Sequence, residues 1–403
     1  MSASFAAHAQ KTATVLPAKI FRVRAVGVVA SPITQTLNAN GEAQSLMSSL
    51  ERTLSTKDVA ATDANLQALY DGLNQFEAGL GDSLMTVDLQ PKAQMNARQT
   101  TMAVEYGVNS RLSLGVIIPT VQMQVKTSFN ARVNSQAAQV AERTQGVPGL
   151  EQGVAQFAAN TPTSKTFADG IFTSNGYKTP SDFNYSGLGD IELGAKYQYL
   201  NTGNIRGTCL LGFRAPTATH TADRTNLLDR STGDGQWDLA AECANEFDPI
   251  KTLTFGTAAR YTVQLPDSRD EVVLHDGQSG LPDLTDASSV QRVHRDLGDM
   301  IEGEVSAKVN IDAAWNLTSV LGISYKLEDR YTGPSGYQIS ALGKDTESAQ
   351  SRIELAVGYS TIPAFAAKKF PVPMEVKLAY NNILEGFNTT RSAYTRMDLI
   401  VYF

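Results

Sequence analysis

Hydrophobic and polar residues alternate with a period of two along much of this chain, and each such run predicts a strand with one apolar face. From Asp190 to Tyr199, Ile191, Leu193, Ala195, Tyr197 and Tyr199 share a face, opposite Asp190, Glu192, Lys196 and Gln198. Trp237, Leu239, Ala241, Cys243 and Phe247 oppose Asp238, Glu242 and Glu246; Phe255, Ala259, Tyr261 and Val263 oppose Thr254, Arg260, Thr262 and Gln264. The pattern returns in Ile301–Val309, Leu317–Leu327, Ile353–Tyr359, Met374–Tyr380 and Thr395–Phe403. It is also present earlier, in Phe21–Val29, Thr100–Tyr106, Leu112–Val125 and Ile205–Ala215. Twelve strands are predicted in all, most of them about the 9–11 residues a tilted strand needs to cross a bilayer. Within Leu112–Val125 the alternation slips at Ile117-Ile118-Pro119. Proline cannot donate to a ladder, so a bulge is expected there.

The connections sort by length. Val108–Ser110, Asn201–Asn204, Asp248–Lys251, Ile311–Ala314 and a longer Ile362–Pro373 form one set. The other set is mostly long and polar: about Ser31–Gln94, Asn130–Asp182, Pro216–Gln236, Pro266–Arg292, Tyr331–Ser348 and a brief Glu385–Ser392. The two sets alternate strictly, which is the layout of a bacterial outer-membrane barrel and not of a soluble sandwich. The expected fold is all-β: a transmembrane antiparallel up-and-down barrel of about twelve strands, both termini on the short-turn, periplasmic side. Tyr106, Tyr199, Phe247 and Phe403 close descending strands and Trp315 opens an ascending one, as an interfacial aromatic girdle requires. Phe403, with Met397, Leu399 and Val401 on the same face, is similar to the terminal signature that the barrel assembly machinery recognises during biogenesis.

Two long loops carry helical spacing. Leu46, Leu50 and Leu54, then Leu66, Leu69, Tyr70, Leu73 and Leu80, recur at three- and four-residue intervals, with Asp58 and Asp63 as candidate N-caps and Gly79 or Gly81 as a stop. Val133, Ala137, Val140 and Ala141 form a second stripe, broken at Gly146–Gly149 and resumed by Leu150, Val154 and Phe157. These helices, in the first two extracellular loops (31–94 and 130–182), are expected to pack on each other above the barrel; the sharper alternative is an apolar face that holds a ligand or dips into the mouth. The barrel itself is assigned to 18–403. Residues 1–17 read as an N-terminal segment whose Ala7-His8-Ala9 has the small-x-small form preceding a signal-peptidase cut, the tail of a leader.

Composition fits this assignment once the faces are separated. The chain has 403 residues, 42% of them hydrophobic and 19% charged, and no stretch approaches the roughly 18 apolar residues of a spanning helix. Apolar side chains facing lipid average against charges facing inward, so mean hydropathy falls just below zero. A net charge of −7 argues against nucleic acid as a partner. Cys209 and Cys243 fall on neighbouring strands and on the same outward face; two lipid-facing thiols are expected, with a cross-strand disulfide as the alternative.

If the apolar face meets lipid, the polar face lines the lumen. Twelve cations then point inward: Arg22, Arg24, Lys196, Arg206, Arg214, Arg260, Lys308, Lys326, Arg330, Arg352, Lys377 and Arg396. Twelve anions oppose them: Glu105, Asp190, Glu192, Asp238, Glu242, Glu246, Glu302, Glu304, Glu328, Glu354, Glu375 and Asp398. A pore selective for one sign carries an excess of the other on its wall. Equal numbers imply either an unselective aqueous channel or a lumen closed by ion pairs between adjacent strands. A narrow or plugged lumen is expected, with the residues before Lys19, or a loop helix, as the plug.

Enzyme chemistry finds little support. His8, His220, His275 and His294 lie at no metal-binding spacing, and no Gly-x-Ser-x-Gly elbow is present. No cofactor is implied. An outer-membrane lipid-modifying enzyme stays as a minor alternative, because triads are spatial and not sequential. Asp267, Asp270, Glu271, Asp276, Asp283, Asp286, Asp296 and Asp299 read as a solvated outer surface, with Ca²⁺ ligation as the sharper reading.

The stretch Ser186-Gly-Leu-Gly-Asp-Ile-Glu-Leu-Gly-Ala-Lys-Tyr197 resembles a strand of the outer-membrane family named for the meta-pathway of phenol degradation, related to long-chain fatty acid and aromatic-hydrocarbon transporters. Leu114-Gly-Val-Ile-Ile-Pro119 and Leu16-Pro-Ala-Lys-Ile-Phe-Arg-Val-Arg24 are similar to other parts of it. The resemblance implies uptake of small hydrophobic or aromatic compounds, so a channel or transporter in the bacterial outer membrane is expected. A structural or partner-binding barrel that only presents its helical loops is the competing reading.

Overall fold

The computed structural model describes residues 11–60, 63–160, 170 and 172–403. Twelve antiparallel strands form its wall: β1 (Phe21–Ala30), β2 (Met85–Asn109), β3 (Leu112–Ser135), β4 (Ile191–Asn201), β5 (Ile205–Ala215) and β6 (Asp238–Ile250). They continue as β7 (Leu253–Gln264), β8 (Met300–Asn310), β9 (Trp315–Lys326), β10 (Ser348–Ser360), β11 (Met374–Phe387) and β12 (Ala393–Tyr402). Each pairs with its neighbours in sequence, and β12 closes onto β1 with Ala25 facing Leu399. Closure satisfies every ladder without leaving an edge, which lipid demands. Alternation then sorts the side chains. Leu193, Leu211, Leu239, Phe255, Val305, Leu321, Leu355 and Met397 are exposed on the outside, whereas Glu242, Glu304, Glu354 and Arg396, on four of the same strands, are buried inside. Aromatic pairs sit at the short-turn end: Phe21 with Tyr106 at 4.5 Å and Trp315 with Tyr359 at 4.8 Å between ring centroids.

β2 and β3 are 25 and 24 residues long and rise beyond the rest of the wall, so the first two long loops are shorter than the sequence pattern suggests. Their mutual register runs unbroken from Met85↔Ser135 to Gly107↔Ser113. The expected bulge at Pro119 is therefore absent from this pair: Thr101 faces Pro119 and Met102 faces Ile118 without a shift. The irregularity lies across the other edge of β3. There β4 pairs as far as Ile117↔Glu192, and the short strand Phe183–Leu188 takes over from Thr120↔Leu188. Three steps along β3 match four along its partner, at the point where Pro119 has no N–H to offer and instead accepts from Gly189 N at 2.8 Å.

The slip in hydrophobicity has a second cause. Below Pro119, Leu112, Leu114, Val116 and Ile118 face outward, while Ile117 shares the inward face opposite Glu192; above it Met123 and Val125 face inward and are buried, as are Ala93 and Ala97 of β2. They pack with Ala30, Ile33, Met47 and Leu228, an apolar core across the barrel mouth. The wall has left the lipid, and its apolar face has turned to the inside.

Four helices cap this hairpin: α1 (Thr56–Ala60), α2 (Ala64–Phe76), α3 (Ala137–Arg143) and α4 (Leu150–Ala159). Asp63 caps α2, accepting from Asn65 N and Leu66 N. Asp58 is inside α1 and is no N-cap; its carboxylate accepts from Ser55 N and Oγ. The expected helical turns around Leu46–Leu54 reduce to one 3₁₀ turn, Ser48–Leu50, and a strand, Arg52–Ser55, because the extended β2 offers that strand an edge to pair with. Leu73, Leu80, Leu84, Val140 and Val154 bury one another, so the helices pack together as expected. A further helix, α5 (Ile362–Ala366), lies in the turn between β10 and β11.

Candidate functional site

Small inward residues on adjacent strands, Ala244 of β6 with Gly256 and Ala258 of β7, leave room in the bore beside them. The chain's own N-terminal segment fills it. Lys11 N donates to Glu304 Oε1 at 2.7 Å, and Lys11 Nζ stands 3.4 Å from Glu302 Oε2 and 3.6 Å from Glu242 Oε2. Thr12 O accepts from Lys196 Nζ and Thr208 Oγ1, each at 3.4 Å. Ala13 is wholly buried against Ala244 and Ala258, and Leu16 N donates to Ser113 Oγ at 2.9 Å. This strap, residues 11–17, thus touches β3 through β8. It leaves the lumen where Lys19 N meets Gly107 O at 2.7 Å; a Cβ on Gly107 would lie 2.0 Å from Pro17 O, so only glycine admits the approach. Ala7-His8-Ala9 lies outside the described residues.

Around the strap the inward charges pair. Arg22 meets Glu105 on the next strand. Arg24 meets Asp398 at 3.0 Å, Arg214 meets Asp238 at 2.8 Å, and Arg206 meets Glu246 at 3.0 Å and Asp248 at 2.6 Å. Other pairs skip strands, unlike the adjacent-strand pairing expected. Arg396 of β12 grips both carboxylate oxygens of Glu354 on β10 at 2.8 Å, and Lys377 adds a third contact at 3.1 Å. Arg352 of β10 reaches Glu304 of β8 at 3.4 Å. Arg260 of β7 reaches Glu192 of β4 at 2.8 Å, three strands away. Side chains from distant strands can meet only through the bore, so the lumen is narrow at this level.

A few of the inward charges take other places. Asp190 carries no ion pair among the described residues; it accepts from Thr217 N, Ala218 N and Asp234 N and so shapes the loop after β5. β9 ends at Lys326, which pairs with Asp329 at the long-loop rim. Glu328 and Arg330 therefore lie past the wall and are exposed, not lumen-lining. Glu375 accepts from the Tyr402 hydroxyl at 3.1 Å, and Lys308 stands opposite Thr254 on β7. Cys209 and Cys243 face each other directly and form a disulfide on the lipid face, where two thiols were expected.

The histidines stand in the long loops. His220 Nε2 lies 2.8 Å from Asp229 Oδ1 and its ring stacks on Tyr185 at 4.3 Å. His275 Nε2 contacts Ser288 Oγ at 3.0 Å, but the same hydroxyl donates to Asp286 at 2.7 Å, and that carboxylate approaches Nε2 itself at 3.7 Å. In a triad the acid holds the opposite ring nitrogen. His294 Nδ1 is 3.5 Å from Ser268 Oγ. The loop carboxylates mostly organise turns or meet arginine: Asp267 pairs with Arg295 at 2.9 Å, Asp283 accepts from Thr285, and Asp299 from Tyr261 and Gln264 N. Among the described residues no group of three or more His, Cys, Asp or Glu is placed to hold a metal ion.

No family model matches the chain, and neither does a curated protein. Solved structures do. An outer membrane channel from Pseudomonas putida F1 superposes over 97% of this chain and 98% of its own, with 13% identity and a TM-score of 0.53. The toluene transporter of Ralstonia pickettii follows over 96% of this chain and 89% of its own at 9% identity and a TM-score of 0.34. What is shared is the barrel. This chain has an outer-membrane-type fold, and the resemblance read in the sequence is met at the level of architecture.

Proposed function

We propose that this chain is an outer-membrane channel for small molecules, with short turns and both termini in the periplasm, and that the strap is its resident plug. The strap carries the reading. A barrel built only to anchor its loops can fill its bore with wall side chains, as eight-stranded barrels do. Here the wall offers small residues, Ala244, Gly256 and Ala258, beside the strap, and a segment held to β3–β8 by hydrogen bonds, ion pairs and packing occupies the space. Orientation rests on the usual placing of short turns, and Met397, Leu399 and Val401 on the outer face of β12, with Phe403 exposed just after it, fit the assembly signal. Cargo entering from the long-loop end meets the apolar core of the mouth before the ionic zone. That sequence suits a small molecule with an apolar or aromatic body and one charged group. The activity proposed is passage, without catalysis.

The cross-lumen pair Arg260–Glu192 favours the second reading, a closed barrel that displays its helical cap to a partner. Planar-bilayer conductance separates the two. The intact protein should show little steady current, and a variant lacking residues 11–17, checked for folding by heat-modifiable gel migration, should show stable channels. Folded protein that stays silent in both forms sinks the channel and favours the second reading. Phospholipid or lipopolysaccharide turnover that vanishes on His220→Ala, His275→Ala or His294→Ala would instead establish an enzyme; none is expected.

A further inference from the structure

On the outer wall at the short-turn end, an apolar depression of about 420 Å³ is lined by Trp315, Val357, Tyr359, Val376 and Leu378. These residues occupy neighbouring outward positions of β9, β10 and β11: Trp315 faces Tyr359, Tyr359 faces Val376, and Val357 faces Leu378. The depression is continuous with the lipid-facing band. Tyr359 and Val376 stand just above the turn 361–373, the longest at this end of the barrel among the described residues.

That turn is unlike a solvated loop. Ile362, Phe365, Phe370 and Val372 are each more than a third exposed. Lys368 and Lys369 stand exposed among them. The turn is nevertheless ordered: Lys368 N donates to Phe365 O and Lys369 N to Ala364 O at 2.8 Å, and Thr361 Oγ1 accepts from Met374 N at 2.9 Å. Exposed phenylalanines and lysines on a fixed turn, at the edge of a lipid band, are the elements of an interfacial anchor, apolar side down and cations at the headgroups.

We infer that this corner of the barrel binds a phospholipid with an anionic headgroup. One acyl chain lies in the depression beside Trp315, and Lys368 and Lys369 meet the phosphate-bearing headgroup. Continuity with the lipid face names the occupant's body, and the paired lysines name its charge. Only the assignment to the periplasmic leaflet rests on the orientation proposed above.

The chain has two tryptophans, so Trp237→Phe leaves Trp315 as the reporter at the site. The full-length variant is reconstituted in phosphatidylcholine vesicles containing equal fractions of bromine-labelled phosphatidylglycerol or bromine-labelled phosphatidylcholine. Trp315 should be quenched at lower fractions by the anionic lipid. Lys368→Gln and Lys369→Gln should each reduce that preference roughly fivefold. Equal quenching by the two lipids overturns the proposal, as does a preference that survives the double substitution. Folding is checked by heat-modifiable migration. Both leaflets of such vesicles hold the same lipids, so the result stands apart from the orientation and from any conductance.

Discussion

Replacing Glu354 by glutamine measures how dry the lumen is. Glu354 and Arg396 are both fully buried, joined by two contacts of 2.8 Å, with Lys377 at 3.1 Å. Glutamine keeps the shape and one acceptor but removes the charge between two cations. At an effective dielectric near 20, each charge pair at about 4 Å is worth roughly 4 kcal/mol. Repulsion between Arg396 and Lys377 offsets part of the gain in the native state, and Asp398 still lies 3.4 Å from Arg396 in the variant. The expected loss is the lower part of the range for a broken buried pair, about 3 kcal/mol. Removing all three charges, in Glu354→Leu with Lys377→Met and Arg396→Met, should recover most of it, because Asp398 retains Arg24 at 3.0 Å. The assay is reversible guanidinium unfolding in detergent micelles, read by tryptophan fluorescence and by gel migration. A single-variant cost below about 1 kcal/mol, the range of solvated ion pairs, would refute the reasoning: water would then already reach Glu354, and the lumen would be open there at rest.

Leu321 is half exposed at the middle of β9; Leu321→Arg should cost about 2–4 kcal/mol in the same assay, and a neutral result would place that face in water. The disulfide closes a sequence separation of 34, so Cys209→Ala with Cys243→Ala should lower stability by about 2–4 kcal/mol; identical unfolding midpoints with and without reductant would contradict it. Hydrogen bonds from Lys178 and Thr225 lower the Asp223 carboxyl to about 2. A depressed acid contributes above its ordinary value, so this tie between the second and third long loops should persist through pH 4 and fail only as pH approaches 2. Carboxyl NMR titration of Asp223 with a midpoint near 4 would deny the contact.

The wall was legible because lipid outside and charge inside impose opposite chemistry on alternate residues, from Leu193 and Glu192 through Met397 and Asp398. The upper hairpin was not. Met85, Val87, Leu89 and Ala93 alternate as cleanly as any strand, but out of phase with Met102 and Val104, because their apolar face covers a core inside instead of lipid outside. The same reversal coincides at Pro119 with the register irregularity on the β4 side of β3, so one slip in the pattern had two causes. Glu328 and Arg330 follow the alternation past the point where β9 ends, and a period of two cannot report where a ladder stops. Contacts across the bore, such as Arg260 with Glu192, depend on the radius of closure, which no single strand encodes. The plug had a trace in the sequence: the inward alanines of β6 and β7 face a space that something must fill.

The phase reversal in β3 also sets the height of the membrane beside it. Outward apolar positions run only from Leu112 to Ile118 on β3, but from Trp315 to Leu327 along and just past β9. With about 3.3 Å per residue and a tilt near 40°, these belts are roughly 15 Å and 30 Å tall. A hydrocarbon layer cannot match both without tilting the barrel or thinning against β2 and β3. The protein therefore strains the lipid on one side only, and neighbours in the plane of the membrane would meet a barrel with a front and a back.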